Sequence, residues 1–300
     1  MTAIFEILNG ISCAIRLSTI DMKFDDLSDK VIVDVRLQQD FFQCHIKGSS
    51  NIPFNQIEQR MHELPRKSQP LTLFGTSKTL LAAITLLTQK GYQVEDKLIA
   101  SKETLQDLKD SYQIETGEQL RILWQPASVV TEFSKICDKG SSNLNGLDVA
   151  CGAGRDSVYL AGKGWNMTSV DYSQTALDKL NSLANNNKVI VKALLIDLEK
   201  NYAELEKTNL KFDVILFVRY LHRPMLDKIK TLIEKNGYIV YQTFLEGSEK
   251  FGSPKNPRFL LKHGELAEVF SDFDILLDDV EYLDDGRPTN RFIAKKISYI

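Results

Sequence analysis

The feature that most constrains this sequence is a glycine turn between a strand-like run and a helix-like run. It reads Asp148-Val-Ala-Cys-Gly152-Ala-Gly154-Arg155-Asp156. Glycines let a backbone approach a ligand without Cβ contacts, and the following helix offers free N–H groups and the positive end of its dipole. The turn therefore predicts a site for a nucleotide-like ligand.

Two acidic residues follow at the ends of the next two predicted strands. Asp171 comes seventeen residues after Gly154, where a carboxylate reaches the vicinal hydroxyls of a ribose. Asp197-Leu198 ends the strand after that, where a carboxylate and a backbone N–H read an adenine edge. Dinucleotides and S-adenosylmethionine share this geometry, but Ser157 fits the third small position of G-x-G-x-x-G poorly. A dinucleotide site and a turn without a ligand stay open as alternatives.

The turn lies in the second of two α/β series, and this predicts two domains. The chain has 300 residues, whereas one domain usually takes about 100–200. The predicted boundaries are 1–105 for a small first domain, 106–125 for a polar linker and 126–300 for the second domain. Helical segments separate the strands predicted in the second domain, which indicates a mainly parallel sheet. These strands are 146–150, 166–170, 189–195, 212–217 and 238–243.

The C-terminal pattern helps to separate the candidate cofactors. The runs 275–282 and 291–297 flank Asp284-Asp285-Gly286, which is typical of a hairpin and adds an antiparallel strand to the sheet. With the glycine turn and the two strand-end acids, this domain resembles the class I S-adenosylmethionine-dependent methyltransferases. The resemblance implies a Rossmann-like fold, α/β in class, with a mainly parallel seven-stranded sheet.

The same resemblance implies S-adenosylmethionine as the cofactor and identifies the residues that bind it. By their match to the family's motifs, these are Asp148, Ala150, Gly152, Gly154, Arg155, Asp171, Tyr172, Asp197, Leu198 and Val218. Ala150 stands where the family often has its first glycine. No metal ion is expected, because no histidines or cysteines cluster at ligand spacing.

Further motifs narrow the resemblance within residues 140–296. They are Gly154-Arg-Asp-Ser157, Phe217-Val-Arg-Tyr-Leu-His-Arg-Pro224 and Phe251-Gly-Ser-Pro-Lys-Asn-Pro257. Together they are similar to the tellurite-resistance type of methyltransferase. That resemblance implies a small-molecule acceptor with a soft nucleophile, a chalcogen oxyanion or a thiol.

The candidate catalytic residues lie in the loop after the fourth strand, because open α/β sheets bind ligands at the carboxyl ends of their strands. Arg219 and Arg223 are expected to hold an anionic acceptor bidentately. His222 is the candidate general base, since histidine titrates near neutrality. A structural role for His222 in a polar gap of the core stays open. The D/N-P-P-Y/F motif of amino-group methylation is absent after this strand, which disfavours nucleic-acid bases and glutamine as acceptors.

The first domain carries a series of short motifs between about residues 28 and 98. They are Asp34-Val-Arg36, Phe41-Phe42, His45-Ile-Lys-Gly-Ser49, Asn51-Ile-Pro53 and Glu63-Leu-Pro65. Their order and spacing resemble a rhodanese-like domain. Sulfur-transferring rhodaneses have a cysteine directly after the strand equivalent to 71–74, and this chain has Gly75-Thr-Ser-Lys78 there. The domain is therefore predicted to be catalytically inactive and to serve docking, regulation or dimerisation.

The composition indicates in which compartment the protein works and which classes of partner it does not favour. The four cysteines lie far apart in the sequence, so a disulfide framework is not expected and a reducing cytoplasm fits best. A net charge of −3 does not favour nucleic acid as a partner. No apolar run reaches the roughly 18 residues of a membrane span.

The sequence thus predicts an enzyme, a methyltransferase that uses S-adenosylmethionine on a small molecule. Two alternatives stay open. One is an RNA or protein methyltransferase whose rhodanese-like domain recruits the target. The other is a non-catalytic sensor of S-adenosylmethionine or S-adenosylhomocysteine.

Overall fold

The computed structural model describes residues 27–118, 121–137, 143–207 and 210–297. Contacts divide the chain into two compact units. Unit 1 holds the described residues up to Asn51, with Pro70–Lys90 and Val94–Arg121; unit 2 holds Ile52–Gln69, Gly91–Gln93 and the chain from Ile122 onward. The segment 106–125, predicted as a linker, includes the end of a helix, Lys102–Asp110, and a short strand, Ile114–Glu115.

Unit 1 is built on a parallel sheet of four strands in the order β3-β1-β4-β5. Its strands are β1 (Ile32–Asp34), β2 (His45–Ile46), β3 (Ser50–Asn51), β4 (Leu71–Gly75), β5 (Val94–Ile99) and β6 (Ile114–Glu115), and its helices are α1 (Gln38–Gln43), α2 (Ser77–Gln89) and α3 (Lys102–Asp110). Strands β2 and β6 form a separate antiparallel pair. The core includes Ile32, Phe74 and Leu108, all buried. The rhodanese-like motif Asp34-Val-Arg36 ends β1 as a buried ion pair of 2.6 Å.

Unit 2 is built on a seven-stranded sheet in the order β12-β13-β11-β10-β7-β8-β9. The strands are β7 (Asn145–Val149), β8 (Asn166–Asp171), β9 (Val191–Leu195), β10 (Phe212–Val218), β11 (Ile233–Phe244), β12 (Phe273–Tyr282) and β13 (Pro288–Lys296). Strand β13 runs antiparallel to both of its neighbours, and the other pairings are parallel. The predicted fold class, a mainly parallel sheet with a C-terminal hairpin, is confirmed.

Helices cover both faces of this sheet, and residues 214–218 of the central strand β10 are apolar at every position. The helices are α4 (Ser128–Ile136), α5 (Arg155–Ala161), α6 (Gln174–Asn186), α7 (Leu198–Glu206), α8 (Arg223–Ile229) and α9 (Glu265–Val269). In β10, Val214 and Leu216 pack in the cluster that contains residues of α4. Their neighbours Ile215 and Phe217 face the opposite way, into the cluster that contains residues of α7 and α8. This alternation follows from the two-residue period of a strand.

Phe133 is a test of how much this packing contributes to stability. It is fully buried, and its ring centroid lies 5.6 Å from that of Trp165 and 5.3 Å from that of Tyr238. We expect Phe133→Ala to lower the free energy of unfolding by about 3–5 kcal/mol, through lost burial and the cavity left behind. Urea unfolding followed by tryptophan fluorescence measures it, since both tryptophans of the chain, Trp124 and Trp165, lie in unit 2.

The matched control is Tyr282→Ala, which truncates an aromatic side chain that is 70% exposed. It should change the free energy of unfolding by no more than about 0.5 kcal/mol. Equal effects of the two substitutions would contradict the assignment of Phe133 to the core.

Candidate active site

The glycine turn connects β7 to α5 through three residues in the left-handed region. Ala150, Gly152 and Gly154 have φ angles of 55°, 56° and 75°. A Cβ atom at Gly154 would lie 2.5 Å from Leu180 side-chain atoms, so this glycine permits close packing of α5 on α6. A Cβ atom at Gly152 would meet nothing within 4 Å. Gly154 therefore serves the packing, whereas Gly152 faces open space.

Asp171 fixes the turn against the end of β8. Its carboxylate accepts hydrogen bonds from the backbone N–H of Gly152 and of Ser173, each at 2.9 Å. The Asp171 side chain is buried. Hydrogen bonds from two backbone amides orient both carboxylate oxygens, and bonds to a charged acceptor are the stronger class. The residue predicted to bind the cofactor ribose thus also holds the glycine turn in shape.

Beneath the turn lies a buried polar cluster centred on Asp148. The Ser157 hydroxyl donates to the Asp148 carboxylate at 2.5 Å, and the two hydroxyls of Ser157 and Ser169 lie 2.6 Å apart. The pKa of Asp148 is raised to about 8, mainly by burial and also by the negative charge of Asp156, whereas the Ser157 bond opposes the rise. Asp148 therefore supports the turn from inside the core.

The end of β9 carries the next predicted pair, Asp197-Leu198. Asp197 is the N-cap of α7, where its carboxylate accepts from the Glu199 N–H at 3.2 Å. It also pairs with Lys200 at 2.8 Å, and this hydrogen bond is the main cause of its lowered pKa. Leu198 is buried. Tyr172, after Asp171, is 75% exposed, which leaves its ring free at the same edge of the sheet.

Tyr220 joins the loop after β10 to the acidic edge of β8 and β9. Its pKa is raised by burial and by the negative charges of Glu199, Asp197 and Asp171. Its carbonyl accepts the Tyr241 hydroxyl at 2.7 Å, which fixes the loop directly after Val218, the last residue of β10. Tyr220 therefore lies in the predicted acceptor loop and close to the acids that are predicted to bind the cofactor.

Two of the three predicted catalytic residues belong to this edge. The φ of Arg219 is 56°, its side chain is exposed, and no hydrogen bond of its guanidinium is found among the described residues. His222 precedes α8 without capping it through its side chain, and its Nδ1 lies 3.9 Å from the Glu199 carboxylate. His222 is thus close to a carboxylate that the sequence analysis did not single out.

Arg223 lies in a different environment, where the N–H donors of its guanidinium already bond to protein groups. Its guanidinium binds both oxygens of Glu265, at 2.5 and 2.9 Å, and donates to the carbonyls of Arg258 and Leu260. These bonds fasten α8 to the segment before α9. This geometry does not support the prediction that Arg223 holds an acceptor together with Arg219.

Sequence reasoning missed Asp156 and Gln242. The Asp156 carboxylate accepts from the Ala127 N–H at 2.7 Å, at the start of α4. Gln242, in β11, is buried, and its carbonyl accepts the Arg219 N–H at 2.7 Å. Both residues bond to partners that are distant in the sequence. The available signals were an acid just inside α5 and a glutamine directly after the apolar run 238–241 of β11.

The residues present fit the cofactor that the resemblance implies. Gly152 opens the backbone toward free space, Asp171 and Asp197 place carboxylates at two neighbouring strand ends, and Tyr172 adds an exposed ring. A nucleoside offers hydroxyls to the carboxylates and a flat base to the ring. The helix that starts at Arg155 directs free N–H groups toward the same edge.

In unit 1, the loop that corresponds to the rhodanese active site connects β4 to α2. Thr76 caps α2 by accepting from the Thr79 N–H at 3.3 Å. A Cβ atom at Gly75 would lie 2.6 Å from Val35. The loop is therefore tightly packed, and Gly75-Thr-Ser-Lys78 contains no cysteine.

The raised pKa of Asp148 predicts a pH dependence of stability. Between about pH 4 and 8 the folded protein holds a proton on Asp148 that the unfolded chain has released, so the free energy of unfolding falls as pH rises. We expect Asp148→Asn to remove this contribution, so that the variant gains stability relative to the wild type from pH 5 to pH 8. Urea unfolding at both pH values, followed by tryptophan fluorescence, measures the difference. Parallel pH profiles of the two proteins would contradict the assignment.

Comparison with known proteins agrees with this geometry. Residues 140–268 match the family model of a methyltransferase domain, and residues 21–100 match that of a rhodanese-like domain. A Schizosaccharomyces pombe protein, UNK4.09, is 24% identical over 316 aligned residues, which cover 88% of this chain and 93% of that protein. The Escherichia coli O-antigen chain terminator bifunctional methyltransferase/kinase WbdD is 24% identical over 175 residues, 55% of this chain and 25% of WbdD.

Among solved structures, TehB from Haemophilus influenzae is 22% identical, with a TM-score of 0.46. The match covers 56% of this chain and 61% of TehB. Within the described residues, no helix is long and apolar enough to cross a membrane. The two family models thus agree with the methyltransferase domain and the rhodanese-like domain that the sequence predicted.

Proposed function

We propose that the methyltransferase domain methylates a small molecule, a chalcogen oxyanion or a thiol, in the manner of the tellurite-resistance type. The observation that carries this proposal is the loop after β10, which brings Arg219, Tyr220 and His222 to the carboxyl edge of the sheet.

The cofactor lies along the carboxyl ends of β7, β8 and β9 in this proposal. Gly152 lets the backbone approach it, Asp171 binds the ribose hydroxyls, and Asp197 with the Leu198 N–H reads the adenine. Arg155, at the first position of α5, faces the cofactor's carboxylate. When bound, S-adenosylmethionine supplies an activated methyl group for in-line transfer.

His222 takes the proton of the acceptor, if the acceptor carries one. The Glu199 carboxylate, which faces Nδ1, stabilises the imidazolium that forms, and this leaves Nε2 to accept the proton. The side chain of His222 is not used as a helix cap. The ring nitrogens of His222 are therefore not used by the start of α8, which supports the base over the structural alternative.

The rhodanese-like domain is proposed to be inactive in sulfur transfer and to bind a protein partner or a second copy of the chain. The sequence Gly75-Thr-Ser-Lys78 supports this, because persulfide chemistry needs a thiolate at that loop. Cys44 lies outside this loop and is half-buried, and its main-chain carbonyl accepts from Arg36. The cytoplasm remains the proposed location.

Substitution of Asp171 tests the cofactor site. We expect Asp171→Ala to weaken binding of S-adenosylhomocysteine at least about tenfold, because the ribose loses its acceptor and the Gly152 turn loses its anchor. Isothermal titration calorimetry measures the affinity, and circular dichroism checks the fold. The matched control is Asp178→Ala, an exposed acid in α6, which should leave the affinity unchanged. Unchanged affinity in Asp171→Ala would refute the ribose assignment.

Methyl transfer itself is tested with methyl-labelled S-adenosylmethionine and a cell extract that is separated into small-molecule, RNA and protein fractions. Label in small molecules supports the proposal and directs the next assays to selenite, tellurite and thiols. Label in RNA or protein replaces it with a macromolecular target. Cofactor binding without label in any fraction would establish the sensor alternative.

The role of His222 is tested with the acceptor found in this way. We expect His222→Ala to lower kcat by about 10²–10⁴-fold, the usual contribution of a general base, while affinity for S-adenosylhomocysteine stays the same. Stopped assays across pH should also lose the limb that reports the base. If the variant and the wild type had the same kinetics, His222 would have the structural role instead.

A further inference from the structure

His62 is a histidine with buried ring nitrogens that the proposed function does not use. It lies in the segment Ile52–Gln69, here called the 52–69 segment. This segment falls within residues 21–100, which match the rhodanese-like model, but it packs in unit 2. Neither ring nitrogen of His62 makes a regular hydrogen bond to a described residue. Buried polar atoms in proteins are usually bonded, so these two nitrogens are candidates for contact with a ligand.

Two hydrogen bonds hold the 52–69 segment against other parts of unit 2. The Glu63 carboxylate accepts from the side-chain amide of Asn186 at 3.3 Å, at the end of α6. The Ser68 hydroxyl donates to the Asp284 carboxylate, in the turn between β12 and β13. The start of β13 pairs with the end of β11, so this turn lies at the carboxyl edge of the sheet. The segment therefore reaches the edge that carries the proposed cofactor site.

The His62 ring lies near two cationic side chains. Burial lowers the pKa of His62, and the positive charges of Lys179 and Arg155 lower it further, whereas Glu63 and the main chain of Gln59 raise it. Lys179 lies in α6, and Arg155 is the first residue of α5, directly after the glycine turn. His62 is therefore a neutral imidazole near pH 7, next to two positive charges.

The two cations have donors that the protein does not use. Within the part of the chain that the structure describes, no hydrogen bond or ion pair is found for the side chains of Arg155 and Lys179, and both residues are half-buried. The nearby carboxylate of Glu63 is already bound by Arg60, at 2.6 and 2.7 Å. Like charges repel more strongly where water is partly excluded. The cluster of His62, Arg155 and Lys179 therefore suits an anionic group.

Arg155 connects this cluster with the proposed active site. Its positive charge acts on His62 and on Tyr92, whose hydroxyl donates to a main-chain carbonyl of the 52–69 segment at 3.4 Å. It also acts on Arg219, in the loop after β10. Arg155 thus lies close to the segment, to that loop and to the glycine turn.

We propose that the 52–69 segment completes the cofactor site of unit 2, and that His62 and Lys179 bind the carboxylate of the cofactor together with Arg155. The proposal rests on the proposed function and extends it, since it adds two residues to Arg155 and one of them belongs to the rhodanese-like sequence. A carboxylate suits the cluster because it accepts charge-assisted hydrogen bonds from a guanidinium, an ammonium and an imidazole N–H. The rhodanese-like sequence then has a role in methyl transfer that needs no cysteine.

The test compares two ligands of the full-length protein. S-adenosylhomocysteine carries the carboxylate, and decarboxylated S-adenosylhomocysteine lacks only that group. Isothermal titration calorimetry at constant ionic strength measures both affinities. We expect His62→Gln and Lys179→Gln each to weaken binding of S-adenosylhomocysteine at least about fivefold and to leave binding of the decarboxylated form unchanged. The matched control is His263→Gln, which removes an exposed histidine of unit 2 and should change neither affinity.

NMR of the histidine rings gives a readout that a merely structural role of His62 would not move. The chain has four histidines, and the signals of His62 are those that disappear in His62→Gln. We expect the pKa of His62 to be higher in the complex with S-adenosylhomocysteine than in the complex with the decarboxylated form, because a carboxylate beside the ring stabilises its protonated state. The same pKa in both complexes would overturn the proposal.

The outcomes distinguish this proposal from the function on which it rests. If the wild type binds neither ligand, the proposed function fails. If it binds both, and His62→Gln and Lys179→Gln weaken the binding of both equally, these residues have a structural role and only the present proposal is overturned. The present proposal is also overturned if the two variants bind S-adenosylhomocysteine as tightly as the wild type does.

Discussion

The site depends on the two hydrogen bonds that the Asp171 carboxylate accepts from the Gly152 and Ser173 amides. They join the turn after β7 to the residues after β8. The spacing of these two strand ends therefore sets the geometry of the site. Neither strand needs a long loop for this, because parallel neighbours end at the same edge of the sheet. A buried carboxylate is costly unless its oxygens are bonded. The turn therefore supplies the bonds that Asp171 needs, and Asp171 supplies the rigidity that the turn needs.

Sequence reasoning succeeded where one short segment determines the outcome. Gly152 and Gly154 identify the turn because glycine adopts the left-handed backbone most readily and, at Gly154, leaves room for the Leu180 side chain. Asp171 follows from its place at a strand end. The two faces of β10 are likewise encoded in consecutive residues, since positions 214–218 are all apolar, as expected of a strand that is covered on both sides.

Sequence reasoning failed where the hydrogen-bond partner of a residue lies far along the chain. Arg219 and Arg223 are four positions apart and are equally basic, yet Glu265 occupies the donors of Arg223 and no described carboxylate bonds to Arg219. Gln242 has four side-chain partners on three other elements, the closest more than a hundred residues away in one direction and thirty-nine in the other. No local pattern encodes such contacts, because they exist only once the hairpin β12–β13 and helix α4 have packed against β11.

The two sides of the proposed site differ in the same way, one being built from local contacts and the other from distant ones. The glycine turn and Asp171 of the proposed cofactor side belong to one β-α-β unit, which is formed by β7, α5 and β8. On the proposed acceptor side, the Arg219 N–H donates to the main-chain carbonyl of Gln242, and the Gln242 side chain bonds to residues of α4, β12 and β13. A change in the C-terminal hairpin or at the start of α4 can therefore move the acceptor residues while the cofactor turn stays in place. Acceptor specificity can thus vary on a constant cofactor site, by substitutions that touch neither ligand.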